Sequence, residues 1–262
     1  MIQKRLFFNI LFSLAGGLLV LFVILPVIST ILSTTPVDFL KSFSDPEVLH
    51  SIGLTFGAAA IATAVALITG VPLAYLLARH KFRGKRLLEA LINLPVVIPH
   101  TAAGVALLLV FGRHGLVGQW LYPLGVTFTD NLGGIVVAML FVSLPFLVNM
   151  SRDAFAMVDE ELERVALTDG ASQWQSFWHI ALPLAWRGVS GGAVMMWARG
   201  ISEFGAVVIL AYHPKITPVL VYERFEGFGL DAAQPVALLL ILVALVVFIL
   251  LRLALLPEMK QN

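Results

Sequence analysis

The residues of this sequence best able to do chemistry stand where charge is least at home. Arg199 and Glu203 lie four apart in the run Trp197-Ala198-Arg199-Gly200-Ile201-Ser202-Glu203-Phe204-Gly205-Ala206, so one helix face carries both a base and an acid within an apolar stretch. Charge at membrane depth is costly and faces a partner or a cavity. Two readings fit: Arg199 attracts an anion, or the two side chains form a structural ion pair near a helix end. A permanently strong anion site would hold its cargo too tightly for transport, so a weak polar lining is expected. His100, after Pro99, either lines the same route or is simply hydrogen-bonded. Thr101, Ser202 and Phe204 join these residues as pathway or gate candidates, with Pro95 and Pro99 as breaks in a wall. Such breaks suit a moving pore wall, and static kinks equally well. No His/Asp/Glu group has metal-ligand spacing and no nucleophile has a base beside it, so neither a metal nor catalysis is expected. The phosphate-binding pattern G-x-x-x-x-G-K-[ST] is absent. Its nearest approach, Gly84-Lys85-Arg86, lacks the hydroxyl residue, so ATP and Mg are expected on a partner, not on this chain.

The elements that must position these residues are membrane helices. Of 262 residues, 59% are apolar and 13% charged, whereas soluble domains run at about 45–50% and about 25%. The formal net charge of +1 leaves no nucleic-acid footprint, and the lack of cysteine excludes disulfides and thiol chemistry. Six apolar runs, at 8–32, 52–78, 92–112, 132–151, 184–212 and 233–256, predict an all-α membrane protein of about six transmembrane helices. They are continuously apolar, unlike the alternating strands of a membrane barrel. The first run could also be read as a secretory signal, but it is longer than a signal core and has no small-residue cleavage site. The fifth is long and carries Arg199 and Glu203, so a tilt or a break is expected there.

Loop charge sets the orientation. Lys4 and Arg5, the cluster Arg79, Lys81, Arg83, Lys85 and Arg86, then Arg152, Arg164 and Arg187, and finally Arg252 and Lys260 fall on one side. The other side has only Lys41, Arg113, Lys215 and Arg224. The positive-inside rule then makes both termini cytoplasmic.

The loop from 152 to 187 is longer than a helix connection needs. Asp159, Glu160, Glu161 and Glu163 place acids in a first helical turn, and Val158, Leu162, Val165 and Ala166 mark one face of an amphipathic helix. Asp169-Gly170 predicts its stop. Ser172 with Gln175 predicts a capping box opening a second short helix, which carries Trp174, Phe177 and Trp178 and ends near Leu182-Pro183. Exposed aromatics on such a loop fit a docking surface, or a helix resting on lipid headgroups.

This loop resembles the cytoplasmic signature of ABC importer permeases: E-A-A, a Gly four residues on, and I-x-L-P ten beyond the Gly. Here it reads Arg164-Val165-Ala166, Gly170 and Ile180-Ala181-Leu182-Pro183, with both spacings kept. Arg164 and Val165 depart from the pattern, and Glu163, one position earlier, supplies a nearby acid. The resemblance covers roughly residues 50 to 256. It implies a type I (MetI-like) importer transmembrane domain at 51–262, preceded over 1–50 by one helix and an external loop. It also implies a coupling helix seated on an ATPase subunit, with Glu163, Ala166, Gly170, Ala171, Ser172, Trp174, Phe177, Ile180, Leu182 and Pro183 at the coupling site. The implied assembly is a homodimer in membrane lipid, bound by two copies of an ABC ATPase inside and by an oxyanion-binding protein outside.

The run from Arg199 to Ala206, and Leu94-Pro95-Val96-Val97-Ile98-Pro99-His100-Thr101-Ala102-Ala103-Gly104, are similar to permeases for molybdate and tungstate, with sulfate or thiosulfate next. A stand-alone secondary transporter is the alternative class and would show inverted repeats. No run resembles another closely enough to be one. A membrane-embedded enzyme would need the catalytic constellation that is missing.

Overall fold

A computed structural model describes residues 2–255, apart from the side chains of residues 2–4, 6 and 7. Residue 256 of the last apolar run, and Lys260 of the basic set, lie outside the described residues.

In lipid a backbone must satisfy its own hydrogen bonds, and the long apolar runs do so as helices. Helix α1 is Ile2–Ser33, and the stretch after it, expected as a loop, holds α2 (Pro36–Ser44). Thr35 caps α2 by accepting the Asp38 N–H at 3.1 Å, and Asp45 caps α3 (Pro46–Arg79) through the Glu47 N–H at 2.9 Å. The third apolar run is not one rod. It divides at Ile98-Pro99 into α4 (Lys85–Val97) and α5 (His100–Phe111), bent by 115°. Pro99 causes the division, because proline disfavours helix in the residue before it. Pro95 in α4 and Pro145 in the later α7 lie inside unbroken helices.

A short turn, α6 (Gly118–Leu121), leads to α7 (Leu132–Met157), capped by Asn131 through the Gly134 N–H at 3.0 Å. The long loop forms α8 (Glu160–Thr168) and α9 (Gln173–Ser176). Next come α10 (Leu182–Ile201), α11 (Gly205–Leu210), α12 (Thr217–Phe228) and α13 (Leu230–Leu255). The expected break in the fifth run is real and falls between α10 and α11.

Among the described residues four helices are long and apolar enough to cross a membrane, α1, α3, α7 and α13, or five if the bent α4–α5 pair counts as one span. The remaining expected span, the fifth run, gives α10, in which Arg187 and Arg199 dilute the apolar stretch.

The core is a three-helix seam of α3, α7 and α10. Ala58, Ala59, Ala62, Ala66 and Ala74 of α3 are buried along it. Small residues let helices approach where lipid offers no hydrophobic drive for association. Buried hydroxyls add a polar tie: Thr55 Oγ1 accepts the Thr217 N–H at 2.8 Å, fixing the start of α12 to α3. By contrast, none of the membrane-length stretch of α1 is buried.

Candidate functional site: a coupling loop and a polar node

The loop is built from local rules. Helix α8 ends in a Schellman motif: the Ala171 N–H bonds the Ala166 carbonyl at 2.9 Å and the Gly170 N–H bonds the Leu167 carbonyl at 3.2 Å. Gly170 takes φ +95°, and nothing lies within 4 Å of where its Cβ would sit. Glycine is therefore required by backbone conformation rather than by space. Ser172 then forms both halves of a capping box with Gln175, at 2.8 and 3.2 Å.

The second helix does not stop at Leu182-Pro183. Residues Phe177–Ala181 form a π turn that runs straight into α10, with the Leu182 N–H bonded to the Phe177 carbonyl. The wider turn carries the chain past Pro183, which can neither donate a hydrogen bond nor tolerate a tight preceding turn.

The tertiary structure fixes which way the faces of α8 point. Glu163 faces inward, whereas Leu162 and Val165 face outward; Val158, just before the helix, is buried and Ala166 is half-buried. Glu163 is buried, accepting from Tyr75 Oη at 2.6 Å and from Arg79 Nε at 2.8 Å, with Arg79 Nη2 on the same carboxylate oxygen. Leu162 and Val165 are 49% and 51% exposed. The loop is thereby fastened to the basic end of α3. Arg164, at the position of the family's Glu, stays on the surface and pairs with Glu160 at 3.0 Å within its own helix, a contact of little energetic weight.

The two anchor aromatics separate. Phe177 turns in against Tyr75 and Phe155, at centroid distances of 5.0 and 6.0 Å, whereas Trp174 is exposed. Trp174, Trp178 and Trp186 form one wall of an apolar groove of about 980 Å³, whose opposite wall is Ile68, Val71 and Pro72 of α3. Ala166, Gly170, Ala171 and Ile180 line a smaller hollow of about 370 Å³ on the loop. Ser172 and Pro183 are exposed, and Leu182 is half-buried.

The second constellation lies where the two broken spans meet. Helices α5 and α11 approach so closely that a Cβ on Gly205 would stand 2.7 Å from His100 Cβ. Arg199 Nη2 reaches Glu203 Oε2 at 3.0 Å and the His100 ring at 2.9 Å, while Nη1 donates to Ser202 Oγ at 3.1 Å. His100 Nδ1 is 3.0 Å from the same Glu203 oxygen. The other oxygen, Oε1, accepts the Ala206 N–H at 2.8 Å at the start of α11. The structure thus joins His100, Arg199, Ser202 and Glu203. Thr101 is exposed beside them, Pro95 lies away in α4, and Phe204 packs on Tyr222 at 5.0 Å.

The sequence is matched over residues 70–256 by the family model described as "Binding-protein-dependent transport system inner membrane component". The chain belongs to this family. It is a multi-pass membrane permease of the ABC importer type, and both sites lie within the matched region. The permease is 42% identical to a molybdate/tungstate transport system permease protein of Pyrococcus abyssi, over 92% of this chain and 93% of that one. It is 30% identical to a probable sulfate transport system permease protein of Zygnema circumcarinatum, over 92% and 86%. Its fold matches a chain in the crystal structure of a bacterial alginate ABC transporter in complex with a pentasaccharide-bound periplasmic protein. That match has a TM-score of 0.75 and 17% identity, over 95% of this chain and 93% of that one.

Sequence reasoning missed Tyr75 and Arg79 as partners of the permease's coupling loop. Arg79 belonged to the basic cluster, and no local pattern signals its contact with an acid 84 residues away. The tie of α4 to α7 through Asn93 and Asn149, at 2.6 Å, is equally nonlocal.

Proposed function

We propose that this permease is one of two identical membrane subunits of an importer that carries molybdate or tungstate. ATP hydrolysis on a separate ABC subunit drives it, with ATP and Mg held there, and a binding protein delivers the oxyanion from outside. The observation that carries the cargo assignment is near full-length likeness to a molybdate/tungstate permease, well above that to a sulfate permease. Sulfate transport is the second reading, and the sulfate relative is what favours it.

Residues 152–187 are the ATPase seat. The exposed Leu162, Val165 and Trp174, set around the Gly170 turn, support this role, because an apolar face that the described residues leave uncovered suits a protein partner. The Glu163–Arg79 pair would pass movement of the seated loop into α3. Both termini and this loop lie on the cytoplasmic side, as the basic residues at Arg79, Lys81, Arg83, Lys85 and Arg86 support. Residues 1–50 form an appended helix and external segment, and 51–262 the transport domain.

The test is uptake of molybdate, tungstate and sulfate in a strain lacking the gene. Selective loss of molybdate and tungstate uptake is expected. Equal loss of all three, or of none, defeats the cargo assignment. Failure of any ATPase to co-purify with the permease defeats the coupling assignment.

A further inference from the structure

The polar node has an asymmetry that a purely structural ion pair does not need. Its acid is sealed, with Glu203 1% exposed overall. Its donors are open, the side chains of Arg199 and His100 being 22% and 40% exposed. Ser202 and Thr101 are exposed around them. A pair serving only to neutralise charge in lipid gains most when both members are shielded and fully bonded. Here the donors form an outward lip and the acceptor lies behind it.

We propose that Arg199, His100 and Ser202 form a waypoint for the oxyanion on its route through the membrane. Glu203 is the built-in anion that occupies it between cargoes. This rests on the importer reading above and assigns residues to it. The set fits the class: a guanidinium fork with an imidazole beside it suits an oxyanion that offers only acceptor oxygens, and Ser202, whose hydroxyl donates to the Arg199 carbonyl at 3.0 Å and accepts from Nη1, holds the fork in place.

The two Glu203 oxygens divide the work. Oε1 stays on the Ala206 N–H, holding the side chain in place, while Oε2 accepts from Arg199 Nη2, with His100 Nδ1 3.0 Å away, and is the atom an arriving oxyanion displaces. With Glu203 present the Arg199–Glu203 pair is neutral, so the dianion gains only by exchange, and binding is weak and quickly reversed. An unopposed guanidinium in a low-dielectric wall would instead hold a dianion strongly and stall it. The exchange sits at the contact of α5 with α11, where both spans are already broken, so cargo and helix position are read at one place.

The experiment measures equilibrium binding of radiolabelled molybdate to the purified permease–ATPase complex without the binding protein, and uptake in vesicles with it. Glu203→Gln is expected to bind molybdate about tenfold more tightly than wild type, as one charged competitor is lost, and to take it up more slowly. The double variant Arg199→Gln/Glu203→Gln, which neutralises the pair isosterically, is expected to lose both binding and uptake. Equal molybdate affinity in the single and double variants, or wild-type uptake by the double variant, overturns the waypoint. If either variant fails to assemble with the ATPase, Arg199→Lys decides. Loss of the fork should lower uptake by about tenfold, and unchanged uptake overturns the proposal. These failures differ from failure of the importer reading, in which the wild-type complex shows no ATPase stimulation by the molybdate-loaded binding protein; that result removes both.

Discussion

The coupling loop and the polar node are both polar interruptions of an apolar chain, but they differ in what completes them. The loop is made of contacts three to five residues apart, namely a Schellman motif, a capping box and a π turn, and remote contacts of Glu163 and Phe177 anchor it. The node joins contacts three and four residues apart, among Arg199, Ser202, Glu203 and Ala206, to one remote partner. His100 and Arg199 are 99 residues apart, brought together by two helix breaks and by the approach of Gly205 to α5. In both, an arrangement written within one stretch of chain is completed by side chains from another span, Tyr75 and Arg79 at the loop and His100 at the node.

The largest test of this contrast is the loop's charged tie to α3. Glu163→Ala leaves Arg79 buried and unpaired, an effect of about 3–5 kcal/mol. We expect a marked fall in the thermal stability of the detergent-solubilised permease together with loss of ATPase co-purification. An unchanged melting temperature would show that the loop stands without α3. Next come the aromatics. Phe177→Ala opens a hole between Tyr75 and Phe155 and should cost about 3 kcal/mol of stability. Trp174→Ala should leave the melting temperature of the permease alone within about 0.5 kcal/mol while weakening ATPase association. If the two behave alike, the inward and outward assignments are wrong.

Gly170→Val forces a branched residue to φ +95°. It should cost about 1–3 kcal/mol locally, read as reduced ATPase co-purification at normal expression. Gly170→Asn, which tolerates the left-handed region, should retain more of it. Wild-type co-purification with valine would sink the coupling assignment.

The smallest effect concerns pH at the end of the molecule opposite the basic cluster. The Arg224 guanidinium, 2.7 Å from Asp45, holds that carboxyl below its ordinary range, with the Glu47 N–H adding to it. A depressed carboxyl contributes stability that is present above its unfolded pKa and lost as pH falls through its folded one. Wild type should therefore lose stability relative to Asp45→Asn only on acidification below the ordinary carboxylate range. A difference that instead shrinks between pH 8 and 6 would contradict the pairing.

The loop was legible because each of its devices lies within one stretch of chain: Asp159 and Ser172 as caps, Gly170 as a stop, Ile180-Ala181-Leu182-Pro183 as a spaced signature. The outward turn of Leu162 and Val165 was not legible, since an apolar stripe fits a core face and a partner subunit alike. The Pro183 stop misled, because a π turn can absorb a proline that an α turn cannot. In the membrane region, periodicity and loop charge gave the runs, but not that the third one folds back on itself at Pro99.

By itself the sequence determined that this chain is helical and membrane-bound, that its long loop bears a family signature, and that Arg199 and Glu203 share a helix face. Those facts rest on composition and on spacings within one or two helical turns. Only the tertiary structure decided that Glu163 points inward to Tyr75 and Arg79, that Phe177 and Trp174 face opposite ways, and that His100 completes the node with Arg199, Ser202 and Glu203. The physical reason is that hydropathy measures how apolar a segment is but not how it is rotated about its axis. Rotation is set by close packing of small residues between helices far apart in the chain.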